Sequence, residues 1–192
     1  MEQQEVIRFF NRCAPSWDAE LVRNAAVISA ILDNAGVKAG VDVLDVACGT
    51  GVLFSDYLQR GVASLTAIDI SPEMVKLARQ KYPKVCVLCG DVEQAVFARC
   101  FDVVMIYNAF PHFSDPAQLI GRLAQWVNPG GRLSVAHGMS REMLNHHHSG
   151  TASRVSVDLL EGNELAALLA PYFDVDTVIS DERMYQVVGR KR

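Results

Sequence analysis

Val43-Leu44-Asp45-Val46-Ala47-Cys48-Gly49-Thr50-Gly51 is the stretch from which the rest of the chain can be read. Val43, Leu44 and Val46 supply the apolar, largely β-branched residues of a short buried strand. The strand runs into a turn of small residues, where backbone can lie directly against a ligand. Gly49 and Gly51 lack a Cβ, so they can take positive φ and admit close approach. Val52-Leu53-Phe54-Ser55-Asp56-Tyr57-Leu58 then reads as a helix. A strand, a glycine turn and a helix make the first half of a nucleotide-type site.

Two nucleotide classes are excluded by this turn. A dinucleotide fingerprint requires Gly or Ala three residues after Gly51, where Phe54 stands and blocks close packing of helix on strand. A P-loop requires Gly-Lys-Ser/Thr after the turn, and none follows. An acidic strand end, Asp45, followed by small-Cys-Gly-Thr-Gly, closely resembles motif I of the class I S-adenosylmethionine (SAM)-dependent methyltransferases. The resemblance implies that Ala47, Gly49, Thr50 and Gly51 pass beside the methionyl part of SAM. It also implies that Asp45 orders the turn and reaches the SAM ammonium through water.

Length and composition fit this reading. With 192 residues, 50% of them hydrophobic and 21% charged, the chain reads as one soluble globular domain. A net charge of −4 gives no electrostatic reason to bind nucleic acid or an anionic membrane surface. The acidic start lacks a signal-peptide core, and no apolar run approaches the ~20 residues that span a bilayer. The expectation is a cytoplasmic protein acting on a small molecule, with no nucleic-acid or membrane partner. The pattern specifies no oligomeric state. Five cysteines, an odd number, suggest reduced thiols. Cys86 and Cys89 lie in a strand-like run where residues three apart face opposite sides, so they read as ordinary buried cysteines and not a metal pair.

Periodicity outlines the remaining elements. Residues 5 to 36 read as helical, with Pro15 breaking them into two pieces and Ser16 capping the second. Strands are expected at 65–70, 85–89, 101–107 and 132–137. Helices are expected from Ser71-Pro72 to about Tyr82, over 115–128 before Asn128-Pro129-Gly130-Gly131, and around 140–146 and 161–170. Two extended runs, 172–179 and 184–188, close the chain as an antiparallel hairpin. Alternating strands and helices predict an α/β, doubly wound, mostly parallel sheet. The resemblance implies the Rossmann-like, seven-stranded class I methyltransferase sheet, whose last strand inserts antiparallel. Within a single methyltransferase domain, residues 1–36 are expected to form a helical cap. Residues 41–138 would be the SAM-binding core, and 139–192 an acceptor-side segment with the hairpin.

In open α/β sheets, ligands bind beyond the carboxyl ends of the strands at the switch point. Strand two ends in Asp69-Ile70, eighteen residues after Gly51, where a carboxylate can accept two ribose hydroxyls. Met74 follows on the next helix, and strand three ends in Gly90-Asp91-Val92. By resemblance, Met74 covers the adenine and Asp91 accepts from its amino group, with Ile70 and Val92 beside them. Strand four ends in Tyr107-Asn108-Ala109-Phe110-Pro111-His112-Phe113, the family's motif IV position beside the methyl donor, with Asn108 against the cofactor. That segment carries no Asn/Asp-Pro-Pro-aromatic signature, so methylation of nucleic-acid bases is disfavoured.

All five histidines (His112, His137, His146, His147 and His148) fall within 37 residues on the acceptor edge. His112 and His148 are the candidate catalytic residues, as a general base for an acceptor hydroxyl, amine or thiol. A second reading has histidines holding a divalent metal that acidifies the acceptor. Adjacent helical histidines diverge by ~100°, so the triplet alone could not chelate with three rings. Asn145 and His148, three apart, share a face and join His147 as candidate substrate contacts. His137 reads as an imidazole that ends a strand, and His146 and His147 as exposed. Phe9-Phe10-Asn11-Arg12-Cys13-Ala14-Pro15-Ser16-Trp17-Asp18 resembles the opening of small-molecule methyltransferases of the ubiquinone/menaquinone-biosynthesis, or type 11, group. In that group N-terminal helices cap the SAM pocket, and Trp17 would face the substrate.

The reading is therefore methyl transfer from SAM to a small-molecule acceptor by in-line displacement. The accepting atom stays open among oxygen, nitrogen, carbon, sulfur and a metalloid or metal centre. A SAM-binding regulatory or scaffold protein without catalysis is the alternative, with a histidine-assisted metal-dependent methyltransferase beside it.

Overall fold

The computed structural model describes residues 2–148 and 154–192. The strands are β1 (Asp42–Val46), β2 (Ser64–Asp69), β3 (Cys86–Cys89), β4 (Phe101–Tyr107), β5 (Val127–His137), β6 (Phe173–Ser180) and β7 (Tyr185–Lys191). They form one sheet in the order β3-β2-β1-β4-β5-β7-β6. Strands β1 to β5 pair in parallel, and β7 inserts antiparallel between β5 and β6, so six of the seven strands share one direction. The chain winds outward from β1 to β3, then crosses back to β4 and winds the other way. The switch point therefore lies at the carboxyl ends of β1 and β4, where a ligand crevice opens.

The helices are α1 (Gln3–Glu20), α2 (Ala25–Asn34), α3 (Phe54–Gln59), α4 (Pro72–Lys81), α5 (Pro116–Ala124), α6 (Arg141–His148) and α7 (Gly162–Leu169). Period-two alternation sends Val43, Val103 and Met105 to one face, against Ile28, Ile31, Leu32 and Phe54. Leu44, Val46, Val104 and Ile106 go to the other face, against Leu119, Leu123, Leu165 and Leu169. Both faces of the central strands are covered, which is why their sequences read as nearly unbroken apolar runs. Among the described residues, no helix is long and apolar enough to cross a membrane.

Several local expectations are corrected. Pro15 does not break the first helix; α1 runs through it to Glu20. Pro15 forfeits one helical hydrogen bond, but side-chain contacts on both sides of it fasten α1 to the body. Asn11 Oδ1 accepts from Ser71 Oγ at 2.7 Å, and Asp18 accepts from Thr50 Oγ1 at 2.5 Å and Lys81 Nζ at 2.7 Å. Ser16 donates to the Cys13 carbonyl and caps nothing. The break falls at Leu21, which is extended, and Asn24 caps α2 by accepting from Val27 N at 3.2 Å.

The segment Asn128-Pro129-Gly130-Gly131 belongs to β5 as an irregularity: Phe101 pairs with Val127, then Val103 with Arg132. A Cβ on Gly131 would come within 2.9 Å of the Asp102 carbonyl, so the bulge needs glycine there. Helix α5 accordingly stops at Ala124, short of the expected 128. Cys86 and Cys89 are exposed, not buried, because β3 is a sheet edge on which only Val87 is covered. All five cysteines are free thiols.

Candidate active site

The glycine turn leaves β1 with Ala47 at φ 54°, Gly49 at φ 55° and Gly51 at φ 85°. Gly51 must be glycine, since a Cβ there would sit 2.6 Å from the Phe54 ring. A Cβ on Gly49 would meet Trp17 Nε1 at 3.9 Å and nothing closer. Across the crevice, Asn108 at the end of β4 is the other non-glycine residue in the left-handed region, at φ 53°. Its Oδ1 accepts from Gly138 N at 2.9 Å, which fixes the strand-four loop against β5. Two strained residues thus flank the switch point, where strain is held by the surrounding structure.

Asp69 ties the turn to β2. Its carboxylate accepts from Gly49 N and from Ser71 N, each at 2.8 Å. Ser71 in turn caps α4 by accepting from Met74 N at 3.2 Å, with Pro72 at the first helical position. Each Asp69 oxygen keeps a further lone pair for a ligand donor. Burial pushes the Asp69 carboxyl up, and hydrogen bonds from Ser71, Gly49 and Ile70 N–H groups oppose that shift.

Asp45 lies behind the turn on the face shared with Val43. It is 2% exposed, and its Oδ2 has no hydrogen-bond partner. Burial, then the nearby Asp69 charge, drives its carboxyl well above the usual range. The crevice therefore calls for positive charge: Asp69, Asp91 and Glu93 line it, Asp45 stands behind, and no Lys or Arg lines it among the described residues. SAM, with its sulfonium and ammonium, meets that demand.

Helix α1 roofs the crevice. Gln3, Val6, Phe10 and Trp17 recur at helical spacing and, with Leu21 just past the helix end, line the same cavity as Ala47, Gly49, Asp69, Met74, Asp91 and Asn108. At the acceptor end, the His112 ring meets Phe10 edge-on at 4.9 Å, and Phe10 meets Trp17 at 5.8 Å. His112 Nδ1 lies 2.7 Å from the Val155 carbonyl, an acceptor to which only an Nδ1–H can donate. Tyr107 also lines the cavity. Burial raises its phenol, while a hydrogen bond from the Asn108 side chain and the Arg23 charge oppose the shift.

Of the residues singled out in the sequence, Trp17, Ala47, Gly49, Asp69, Ile70, Met74, Asp91, Val92, Asn108 and His112 line one cavity. Asp45, Thr50 and Gly51 shape it from behind; Thr50 holds α1 through Asp18. Asn145 is not among the lining residues, and its Oδ1 accepts from Leu159 N at 2.9 Å, fastening the chain that follows α6. His137 is buried and packs edge-on against Tyr185 at 6.1 Å, while His146 is exposed. The side chains of His147 and His148 lie outside the described residues. Among the described residues, no three His, Cys, Asp or Glu side chains group as a metal site.

Three contributors escaped the sequence reading. Gln3 and Phe10 sit on the apolar stripe of α1, whose periodicity does not tell a core-facing helix from a roof. Arg23, in the extended link after α1, donates to the Val52 carbonyl and to Asp56 Oδ2. It sits directly behind the cavity-lining Val52, and nothing in the local sequence marks it.

Comparison with known proteins agrees with this geometry. A family model described as a methyltransferase domain matches residues 44–135. A malonyl-[acyl-carrier protein] O-methyltransferase of Acetivibrio thermocellus is 33% identical over 132 residues, covering 66% of this chain and 47% of that protein. A ubiquinone biosynthesis O-methyltransferase of Xanthomonas oryzae is 38% identical over 115 residues, covering 57% of this chain and 46% of that protein. The chain thus spans about half the length of these curated relatives. The magnesium protoporphyrin IX methyltransferase of Synechocystis PCC 6803, solved with bound S-adenosylhomocysteine (SAH), superposes with a TM-score of 0.75. It is 18% identical, and the match covers 100% of both chains. That likeness is one of fold.

Proposed function

We propose that the chain, whose residues 44–135 match a methyltransferase domain, acts as a class I SAM-dependent methyltransferase and transfers the methyl group of SAM to a small-molecule acceptor. One observation carries the reading. A glycine turn held by Asp69, a second carboxylate at Asp91, and an aromatic chamber of Phe10, Trp17 and His112 share one crevice at the switch point.

SAM supplies an already activated methyl group, so the protein's task is to align the acceptor and keep water out. Asp69 uses its remaining lone pairs for the two ribose hydroxyls. Ile70, Met74 and Val92 hold the adenine between apolar side chains, and Asp91 accepts from its amino group. Asp45 lends negative charge to the ammonium through water, and Arg23 supplies the positive charge that the methionyl carboxylate needs. The loop Asn108–Phe113 floors the methyl-transfer position. His112, oriented by the contact of its Nδ1 with the Val155 carbonyl, is the base for an acceptor proton, and His148 stays a candidate from the sequence alone. The apolar, aromatic chamber suits a compact organic acceptor. The five free thiols fit a reducing, cytoplasmic setting. The helical cap, SAM core and acceptor-side segment act as parts of one domain.

Two measurements test this. Calorimetry with SAH should give one site per chain, and incubation with SAM and a panel of phenols, amines and thiols should generate SAH with at least one acceptor. Absence of SAH binding at millimolar ligand would sink the proposal. Tight binding without turnover on any acceptor would favour a non-catalytic SAM sensor.

A further inference from the structure

Gln3 occupies a position that the ligand itself should claim. Its Nε2 donates to Asp91 Oδ2 at 2.8 Å, while Asp91 Oδ1 accepts from Glu93 N at 2.9 Å. Both Gln3 and Asp91 line the cavity. A carboxamide NH2 and an adenine amino group are the same kind of donor: planar, neutral, with N–H bonds directed at a carboxylate. The other attachments at the start of α1 are backbone hydrogen bonds to the Glu2 carbonyl and the burial of Val6. The cap residue, Glu2, makes no side-chain hydrogen bond to the helix, and Gln3 is exposed at the mouth of the crevice.

We propose that Gln3 is an internal stand-in for the adenine amino group on Asp91, displaced when the nucleoside enters. This rests on the SAM reading above and adds a residue to it. Gln3, Val6 and Phe10 lie along one face of α1, and Phe10 packs on His112. Release of Gln3 therefore frees the end of the roof over the adenine and leaves its far end fastened to the glycine turn and to α4 by Asp18 with Thr50 and Lys81. The cofactor can load at one end of the roof while the other end stays docked. Gln3 also tunes base selectivity, since only a base carrying an amino group competes for Oδ2. A hypoxanthine base, with an oxygen in that position, cannot take over the bond to Asp91.

The experiment compares the wild-type chain with Gln3→Ala, using SAH and its hypoxanthine analogue S-inosylhomocysteine, by calorimetry and stopped-flow. Removing the competitor should tighten SAH binding about three- to tenfold, the worth of one net hydrogen bond. The gain should appear in the association rate, and affinity for the inosyl analogue should stay within twofold. A wild type that binds SAH while Gln3→Ala binds it equally or more weakly overturns the displacement. Equal tightening for both ligands overturns it too, because the gain would then have nothing to do with the amino group. A wild type that binds no SAH overturns the cofactor reading first and this inference with it.

Discussion

Asp69→Asn isolates the charge that the account places at the centre of the site. Asparagine keeps the side-chain volume but turns one of the two acceptor oxygens into an NH2. In the structure those oxygens each receive a backbone N–H at 2.8 Å, from Gly49 and Ser71, at a residue only 8% exposed. One of these donors would face another donor and be left unsatisfied, at a cost of about 2 kcal/mol to the fold. For a domain of this size that lowers the Tm by roughly 4–8 °C. The ligand loses more, because hydrogen bonds from its ribose to a charged acceptor disappear. About 3 kcal/mol, or roughly 150-fold in Kd for SAH, is the expected loss. Thermal melts and calorimetry on the same preparation separate the two effects. A variant that melts lower but binds SAH within threefold of wild type would refute the placement of the ribose on Asp69.

The remaining predictions follow from the same geometry. Burial raises both Asp69 and, further, Asp45 in the folded protein. A raised carboxyl contributes stability that is full below its unfolded pKa, about 3.9, and lost as pH rises through the folded value. A cationic ligand needs the charged forms, so SAM affinity should weaken as pH falls through that folded range. SAM should also release more protons on binding than the uncharged-sulfur product SAH, read by calorimetry in buffers of different ionisation enthalpy; equal release would contradict this. Gly51→Ala puts a Cβ 2.6 Å from Phe54 at φ 85° and should cost about 2–4 kcal/mol by denaturant titration. A cost below 1 kcal/mol would refute the close contact. Arg23→Gln should weaken SAH about tenfold and leave 5′-methylthioadenosine, which lacks the carboxylate, unchanged; equal losses for both would make Arg23 merely structural. His112→Ala should lower kcat far more than it raises the Kd for SAM, and unchanged turnover would remove this ring from the mechanism.

The central architecture was legible because β1, β2 and β4 are covered on both faces, so their apolar runs admit few other readings. Asp69 was legible for a related reason, since an acidic residue at the end of such a strand has to meet something polar, whereas Asp91 follows the edge strand β3 and was placed by strand order and resemblance. Pro15 misled because propensity is local, whereas α1 is fastened on both sides of it by Asn11 and Asp18 to residues far away in sequence. The cysteine pair misled because alternation shows which residues share a face, not whether the strand lies at an edge. Gln3 and Phe10 reach the crevice, and Arg23 the wall behind Val52, only through the docking of α1 and the link after it, which has no local signature. Asn145 shows the reverse: a residue well placed in the sequence spends its side chain on the Leu159 backbone.

A crystal structure of the protein grown with SAH bears most directly on the cradle formed by the glycine turn and its carboxylates. It should show both ribose hydroxyls within about 3 Å of the Asp69 carboxylate, and the sulfur turned toward Asn108 and His112. SAH bound away from the Gly49 turn, or seated there with its ribose off Asp69, would contradict the account.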